Sequence, residues 1–103
     1  MEDSFVYEAK GPTLIIHLPK EFDHHNCRNL RYETDLLMAE NYVSRIIFDF
    51  TRTRFMDSSG IAVALRGWQR MRELGGAVTL YHVAQQPRKV FEASGVGRMV
   101  TIV

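Results

Sequence analysis

The stretch of sequence that decides the fold of this chain is RIIFDFTRTRFMDSSG, residues 45–60. Its first part, Arg45–Phe50, is almost continuously apolar, which is typical of a central strand covered on both faces. The polar loop that follows ends in Asp57-Ser58-Ser59, where an amphipathic helical pattern begins. Residues 45–60 therefore predict a buried strand, a loop and a helix start, in that order.

A hairpin and a helix are predicted before this stretch. Phe5–Ala9 and Thr13–Leu18 flank Lys10-Gly11-Pro12, whose glycine and proline favour a turn. The first helix is predicted over Cys27–Glu40 and is capped by His25 or Asn26. Three- and four-residue spacing predicts that its buried face contains Cys27, Leu30, Thr34, Leu37, Met38 and Asn41.

A second helix is predicted directly after the stretch. It begins at Ser58 or Ser59 and ends at Gly75-Gly76, where glycine favours a helix stop. The apolar stripe of this helix is predicted as Ile61, Ala64, Leu65, Trp68, Met71 and Leu74, and the residues facing away from it as Arg66, Gln69, Arg70 and Arg72.

The remaining sequence continues the alternation of strands and helices. Ala77–Val83 is predicted as a strand, and Met99–Val103 as the last strand. Between them a third helix has Pro87 in its first turn, buries Val90 and Phe91, and ends at Gly95. Two strand–helix–strand crossovers imply parallel pairing with right-handed connections, so the fold class is α/β.

Two loops are expected to carry function, because functional residues in such sheets gather beyond the carboxyl ends of strands. These loops are Pro19–Asn26 and Thr51–Ser59, and they contain the unusual polar residues of the chain.

Composition limits the class of protein. The 103 residues suffice for one domain, predicted to span 1–103, and 46% of them are hydrophobic. Thirteen basic and twelve acidic residues nearly cancel, which disfavours nucleic-acid and membrane partners. There is no signal-peptide pattern or membrane-length apolar run, and one cysteine cannot form an internal disulfide. We therefore expect a cytoplasmic protein.

The segment Asp57-Ser58-Ser59-Gly60 is open to two interpretations. Asp57 or Ser58 is a common kind of helix cap, and local sequence alone favours that role. A hydroxyl at a helix N-terminus is also a favourable position for a phosphate group. The two roles are compatible. A hydrolase nucleophile is disfavoured because the glycine–serine–glycine elbow is absent.

Other constellations have weaker functional signals. Asp23-His24-His25 with Cys27 contains possible zinc ligands, but no second ligand cluster follows, so a polar loop and a buried thiol are expected. The basic side chains of the middle region are expected to be mainly solvated; they are Arg52, Arg54, Arg66, Arg70 and Arg72. No catalytic residue, metal site or cofactor is predicted.

The order of these elements resembles a known family. Phe55-Met56-Asp57-Ser58-Ser59-Gly60-Ile61, after the strand Ile46–Phe50 and before Gly75-Gly76, is similar to the signature of the STAS domain, and within it to bacterial anti-sigma factor antagonists. Glu21–His25 and the segment Pro87–Val96 are similar to further parts of that family. The resemblance implies a mixed, mostly parallel sheet of four to five strands with about three helices.

The resemblance also implies a function. In this family the serine after the aspartate is phosphorylated by a cognate anti-sigma factor, which is a serine kinase using ATP and magnesium. The unmodified antagonist binds that kinase and releases a sigma factor, and a PP2C-type phosphatase restores the serine. By position, Ser58 is the implied phosphoacceptor. The implied partner-binding residues are Asp23, Asp57, Ser58 and Ser59.

One departure from the family leaves an alternative open. Family members usually continue into a C-terminal helix, whereas this sequence ends at Val103. A missing helix is expected to leave apolar sheet surface exposed and to favour a homodimer. The alternative function is a STAS interaction or scaffold module that has no phosphorylation cycle.

Overall fold

Strands and helices alternate along the chain in the computed structural model, which describes residues 5–103 apart from the side chain of Arg31. The strands are β1 Val6–Lys10, β2 Thr13–His17, β3 Glu21–Phe22, β4 Arg45–Asp49, β5 Phe55–Met56, β6 Ala77–Tyr81 and β7 Thr101–Ile102. The helices are α1 His24–Glu40, α2 Ser59–Glu73 and α3 Gln85–Ser94, followed by a 3₁₀ turn at Val96–Arg98.

The main sheet has five strands in the order β1-β2-β4-β6-β7. The hairpin of β1 and β2 is antiparallel, and its turn places Gly11 at φ 59°, a conformation that glycine adopts without strain. The other three pairings are parallel, with Ile16 opposite Phe48 and Phe48 opposite Leu80. The predicted α/β class, with a mixed and mostly parallel sheet, is confirmed.

One face of the sheet forms the core together with the helices. Alternate strand residues on this face are almost fully buried, because the side chains of a strand point to its two faces in turn; they are Leu14, Ile16, Ile46, Phe48, Val78 and Leu80. Phe22, Phe50 and Phe91 continue this core through edge-to-face ring contacts with centroids 6.1 and 5.6 Å apart. The opposite face carries the half-buried Ile15 and Ile47.

Helix α1 differs from its prediction at both ends. It begins at His24, three residues earlier than expected, and its cap is Asp23 rather than His25 or Asn26. Asn41 was predicted to be buried but is exposed, because it ends the helix and its side chain donates a hydrogen bond to the carbonyl of Leu37 (2.9 Å).

Helix α2 begins at Ser59 as predicted, but its buried stripe is different. Gly60, Val63 and Gly67 are buried along with Ala64 and Met71, while Leu74 is exposed. The two glycines were missed because they have no hydrophobic side chain, although each allows the helix backbone to approach the core. The helix ends at Glu73, and Gly75 just beyond it has a φ of 73°, which confirms the predicted glycine stop.

Two arginines predicted to face away from the core join α2 to α1 instead. Arg66 Nη2 lies 2.7 Å from Asp35 Oδ2, and Arg70 Nη1 lies 3.2 Å from Asp35 Oδ1. A single carboxylate therefore pairs with two guanidinium groups one helical turn apart on α2. The prediction failed because Asp35 lies 31 and 35 residues away in sequence.

The first turn of α2 packs closely against the core at Gly60. A Cβ atom at this position would lie 2.5 Å from Met56 Sδ and 2.7 Å from Met56 Cγ, far inside van der Waals contact. Gly60 is therefore required by packing under the helix start.

A charged cluster joins β1, β2 and β4 on the open face of the sheet, which is the face opposite the core. His17 Nδ1 lies 2.7 Å from Asp49 Oδ2, and His17 Nε2 lies 2.5 Å from Glu8 Oε1. The hydrogen bond with Glu8 raises the pKa of His17, an effect reduced by burial and reinforced by Asp49. The same bond with His17 lowers the pKa of Glu8. These shifts favour an imidazolium ion that donates from both ring nitrogens.

We expect Gly60→Ala to lower the free energy of unfolding by about 1–3 kcal/mol, because the new methyl group overpacks against Met56. Gly97→Ala is the matched control, since its Cβ would meet only Ile102 Cδ1 at 3.4 Å. This control should change the free energy of unfolding by no more than about 0.5 kcal/mol. Urea denaturation measures both, and equal stability of the two variants would contradict the packing role of Gly60.

We expect the charged cluster to make stability depend on pH. Because the pKa of His17 is raised in the folded state above its ordinary value of 6.5, its contribution is complete below that pH and is lost as the pH rises through the folded pKa. Urea denaturation between about pH 5.5 and 9 should therefore give a decline with pH that His17→Gln removes. His25→Gln, at an exposed position, should retain the decline. An unchanged slope in His17→Gln would contradict the cluster's role.

Candidate functional site

A small parallel ladder brings the two predicted functional loops together. Strands β3 and β5 pair separately from the main sheet, with Glu21 opposite Phe55 and Phe22 opposite Met56. Because the pairing is parallel, the residue after each strand emerges at the same end. Those residues are Asp23 and Asp57, so the ladder places both predicted carboxylates side by side.

The ladder is held from the side by α3. The Gln86 side chain accepts a hydrogen bond from the Met56 N–H (2.8 Å) and donates one to the Met56 carbonyl (3.0 Å). This amide satisfies both backbone groups of Met56 as a neighbouring strand would. Met56 is fully buried and anchors the loop in the core, whereas Phe55 is 45% exposed.

The Asp57 carboxylate connects the N-termini of two helices. Its Oδ1 accepts a hydrogen bond from the Ser59 N–H at 2.8 Å, and its Oδ2 accepts one from the His24 N–H at 3.1 Å. Both donors belong to first helical turns, whose N–H groups have no partner within their own helix. One carboxylate thus satisfies a donor of α2 and a donor of α1.

These contacts favour the charged form of Asp57. Partial burial acts to raise the pKa of its carboxyl, but the hydrogen bonds from the Ser59 and His24 backbones, with a contribution from the Ser59 side chain, outweigh burial and lower the pKa. Asp57 therefore carries a negative charge at the shared end of two helices, where their dipoles favour an anion.

Asp23 caps α1 independently. Its Oδ1 accepts a hydrogen bond from the Asn26 N–H at 3.0 Å, which is the usual geometry of an aspartate cap. The Asn26 side chain in turn donates to the carbonyl of Glu21. The start of α1 is thereby tied to β3, and the Asp23 carboxylate is held beside that of Asp57.

Ser58 and Ser59 differ in their availability. Ser58 is exposed, and its side chain makes no capping hydrogen bond although the residue occupies the cap position of α2. Ser59 is half-buried, and its side chain interacts with the Asp57 carboxylate. Of the two cap candidates, Asp57 therefore supplies the capping oxygen, and the Ser58 hydroxyl is left open at a helix N-terminus.

The possible zinc ligands in Asp23-His24-His25 and Cys27 do not form one site in the structure. Cys27 is 5% exposed and belongs to the hydrophobic core, as predicted, whereas His24 and His25 are exposed. Within residues 5–103, no group of three or more histidine, cysteine, aspartate or glutamate side chains is arranged to hold a metal ion. In the same range, no helix is long and apolar enough to cross a membrane.

Two supporting residues of the site were missed from the sequence. The sequence does not single out Gln86, because a glutamine side chain in a helix is ordinarily solvated. Thr53 is fully buried, and its hydroxyl donates a hydrogen bond to the carbonyl of Pro19 at 2.8 Å. This bond connects the two functional loops. The short strands β3 and β5 were also missed, because two residues show no periodicity.

Comparisons with known proteins agree with this architecture. The family model of the STAS domain matches residues 4–103. An anti-sigma F factor antagonist of Lysinibacillus sphaericus is 32% identical over 85 residues, which cover 82% of this chain and 73% of that protein. The protein of the same name from Paenibacillus polymyxa is 27% identical over 89 residues, 86% of this chain and 76% of that one.

Solved structures show the same likeness in three dimensions. The anti-sigma factor antagonist SpoIIAA in its unphosphorylated form superimposes with a TM-score of 0.87 at 31% identity, covering 97% of this chain and 88% of that chain. The phosphorylated form of the Bacillus cell fate determinant SpoIIAA gives a TM-score of 0.77 at 31% identity, covering 97% and 91%. With its mixed sheet, its three helices and its Asp57-Ser58-Ser59-Gly60 helix start, this chain belongs to the STAS domain family.

Proposed function

We propose that this protein is an anti-sigma factor antagonist that works as a phosphorylation-controlled partner switch, with Ser58 as the phosphoacceptor. The observation that carries the proposal is the exposed Ser58 hydroxyl, which makes no capping bond because Asp57 supplies the cap. A kinase can therefore modify Ser58 without breaking a bond on which α2 depends. The similarity to SpoIIAA, solved in phosphorylated and unphosphorylated forms, supports the same role.

The unmodified surface around Ser58 is proposed to bind the partner. Its residues are Asp23, Asp57, Ser58 and Ser59. Asp23 and Asp57 are held in place by backbone N–H groups, so this surface is rigid before binding and loses little conformational freedom on contact. Relatives named anti-sigma F factor antagonist support an anti-sigma factor as the partner.

Phosphorylation is proposed to end that association through charge. A phosphate adds about −1.5 to −2 charges and three acceptor oxygens. On Ser58 it stands beside the ionised Asp57, and both compete for the N–H groups at the start of α2. The helix dipole favours the phosphate, so the fold tolerates it. The contact surface, however, becomes strongly negative and repels a partner that fitted its unmodified state.

The chemistry of the cycle is proposed to belong to the partners. The cognate anti-sigma factor acts as the serine kinase with ATP and magnesium, and a PP2C-type phosphatase restores the hydroxyl. The chain itself then acts as a substrate and not as an enzyme, in the cytoplasm, with residues 1–103 forming a single STAS domain. Binding to the kinase releases a sigma factor and so regulates transcription.

A second candidate function is a STAS interaction or scaffold module without a phosphorylation cycle. It is favoured by the open face of the main sheet, where Val6 is 50% exposed and Tyr81 is 43% exposed. His17 and Asp49 lie directly between them, and Ile15 and Ile47 form the adjacent row of the same face. Such a surface suits stacking of two sheets, including those of a homodimer.

Incubation with ATP, magnesium and the anti-sigma factor kinase of the source organism should place phosphate on Ser58, as read by mass spectrometry of the intact and digested chain. Ser58→Ala should abolish incorporation because it removes the acceptor hydroxyl. Ser59→Ala keeps the Ser58 hydroxyl and should still take up phosphate at Ser58, although at a lower rate because Ser59 belongs to the proposed binding surface. Phosphate at another residue, or none with a kinase that binds the chain, would exclude the proposed switch.

Ser58→Asp distinguishes the two candidate functions, since it adds a negative charge at the acceptor. Size-exclusion chromatography with the kinase should show a weakened complex for Ser58→Asp and an intact one for the uncharged Ser58→Asn. If Ser58→Asp leaves every partner interaction unchanged, the scaffold function is the better account.

A further inference from the structure

A groove opens between the first turns of α1 and α2, directly beside the proposed phosphoacceptor. Its volume is about 140 Å³, close to that of one large side chain. Ser59, the residue after Ser58, forms part of its wall. The lining residues are His24, Cys27, Arg28, Ser59, Ala62 and Val63.

The groove combines an apolar floor with a basic rim. Cys27 and Val63 are 5% and 6% exposed and form the floor, while the exposed Arg28 lies at the rim. None of the lining residues is acidic. Among the residues that the structure describes, Arg28 has no ion-pair partner. Its guanidinium therefore lines the groove as a positive charge that no carboxylate of residues 5–103 pairs with.

The groove adjoins an acidic edge whose charges are already engaged. The carboxylates of Asp23 and Asp57 accept hydrogen bonds from the backbone of the two helix starts. The site surface therefore carries both signs of charge, with the carboxylates of Asp23 and Asp57 at the two helix starts and the Arg28 guanidinium at the rim of the groove. A partner that matches this surface presents a basic group to the carboxylates and an acidic group to Arg28.

We propose that this groove receives one aspartate or glutamate side chain of the kinase partner, and that Arg28 pairs with its carboxylate. This inference rests on the proposed function and names the chemistry by which the partner is recognised. The aliphatic stem of the incoming side chain packs on the floor, and the guanidinium binds the carboxylate through two parallel hydrogen bonds. Arg28 is then a specificity-determining residue, because lysine or glutamine cannot offer that fork.

The groove also connects recognition to the switch. A phosphate on Ser58 stands next to the groove wall and adds negative charge there. It repels an incoming carboxylate and attracts the Arg28 guanidinium. The same arginine that favours binding of the partner is thus occupied or screened after phosphorylation.

The test measures binding of the full chain to the purified kinase in the presence of ADP, which has no transferable phosphate. Arg28→Glu is expected to weaken binding about tenfold or more and to flatten its salt dependence. Ala62→Trp, which fills the groove without changing charge at an exposed position, should also weaken binding. Lys89→Glu and Ala93→Trp on α3 are the matched controls and should bind as the unmodified chain does.

A reciprocal experiment identifies the occupant. Aspartate and glutamate residues on the kinase surface are changed to arginine one at a time, and one of them should restore binding to Arg28→Glu. If Arg28→Glu and Ala62→Trp bind like their controls while Ser58 is still phosphorylated, the groove proposal is wrong and the switch stands. If the unmodified chain neither binds the kinase nor is phosphorylated by it, both proposals are wrong.

Discussion

The carboxylate of Asp57 is the interaction on which the arrangement of the site depends. It accepts hydrogen bonds from the first turns of α1 and α2, two helices that begin 35 residues apart in the chain. The first N–H groups of a helix have no partner within that helix. Because one carboxylate accepts a hydrogen bond from such a group in each helix, it fixes the two helices relative to each other. The pairing of β3 with β5 brings Asp57 to that position, and Gln86 holds the ladder in place.

Because Asp57 caps α2, the Ser58 hydroxyl remains available for the proposed phosphorylation. A serine at a helix cap ordinarily uses its hydroxyl to bind the backbone, and a kinase would then compete with the fold. Here Asp57 supplies that oxygen, so the Ser58 side chain is exposed and has no structural task. The helix terminus also accommodates a phosphate electrostatically. The proposed phosphorylation of Ser58 would therefore change the surface presented to partners more than it changes the fold, as a reversible switch requires.

Much of the fold could be predicted from local pattern. The strand Arg45–Asp49, the hairpin turn at Gly11 and the stop at Gly75 follow from apolar runs and from the backbone freedom of glycine. Some errors are local, and others concern residues whose partners are distant in sequence. Asp23 caps α1 in place of the expected His25 or Asn26, and Arg66 pairs with Asp35. The strands β3 and β5 have two residues each, too few for a periodic pattern to predict them. For the site, the sequence pointed to Asp23, Asp57 and Ser58, but the contacts that hold the two carboxylates could not be predicted from it.

Local sequence patterns alone predict the alternation of strands and helices, the mostly parallel sheet, and the position of Asp57-Ser58-Ser59-Gly60 at a helix start. These features depend on side-chain periodicity and turn chemistry within a few residues. Three contacts follow only from the folded structure: Asp57 caps two helices, Gly60 packs on Met56, and Arg28 borders a groove beside Ser58. The first and third join segments tens of residues apart, and the second joins residues that are close in sequence. The geometry of all three is fixed by how the core packs, not by local propensity.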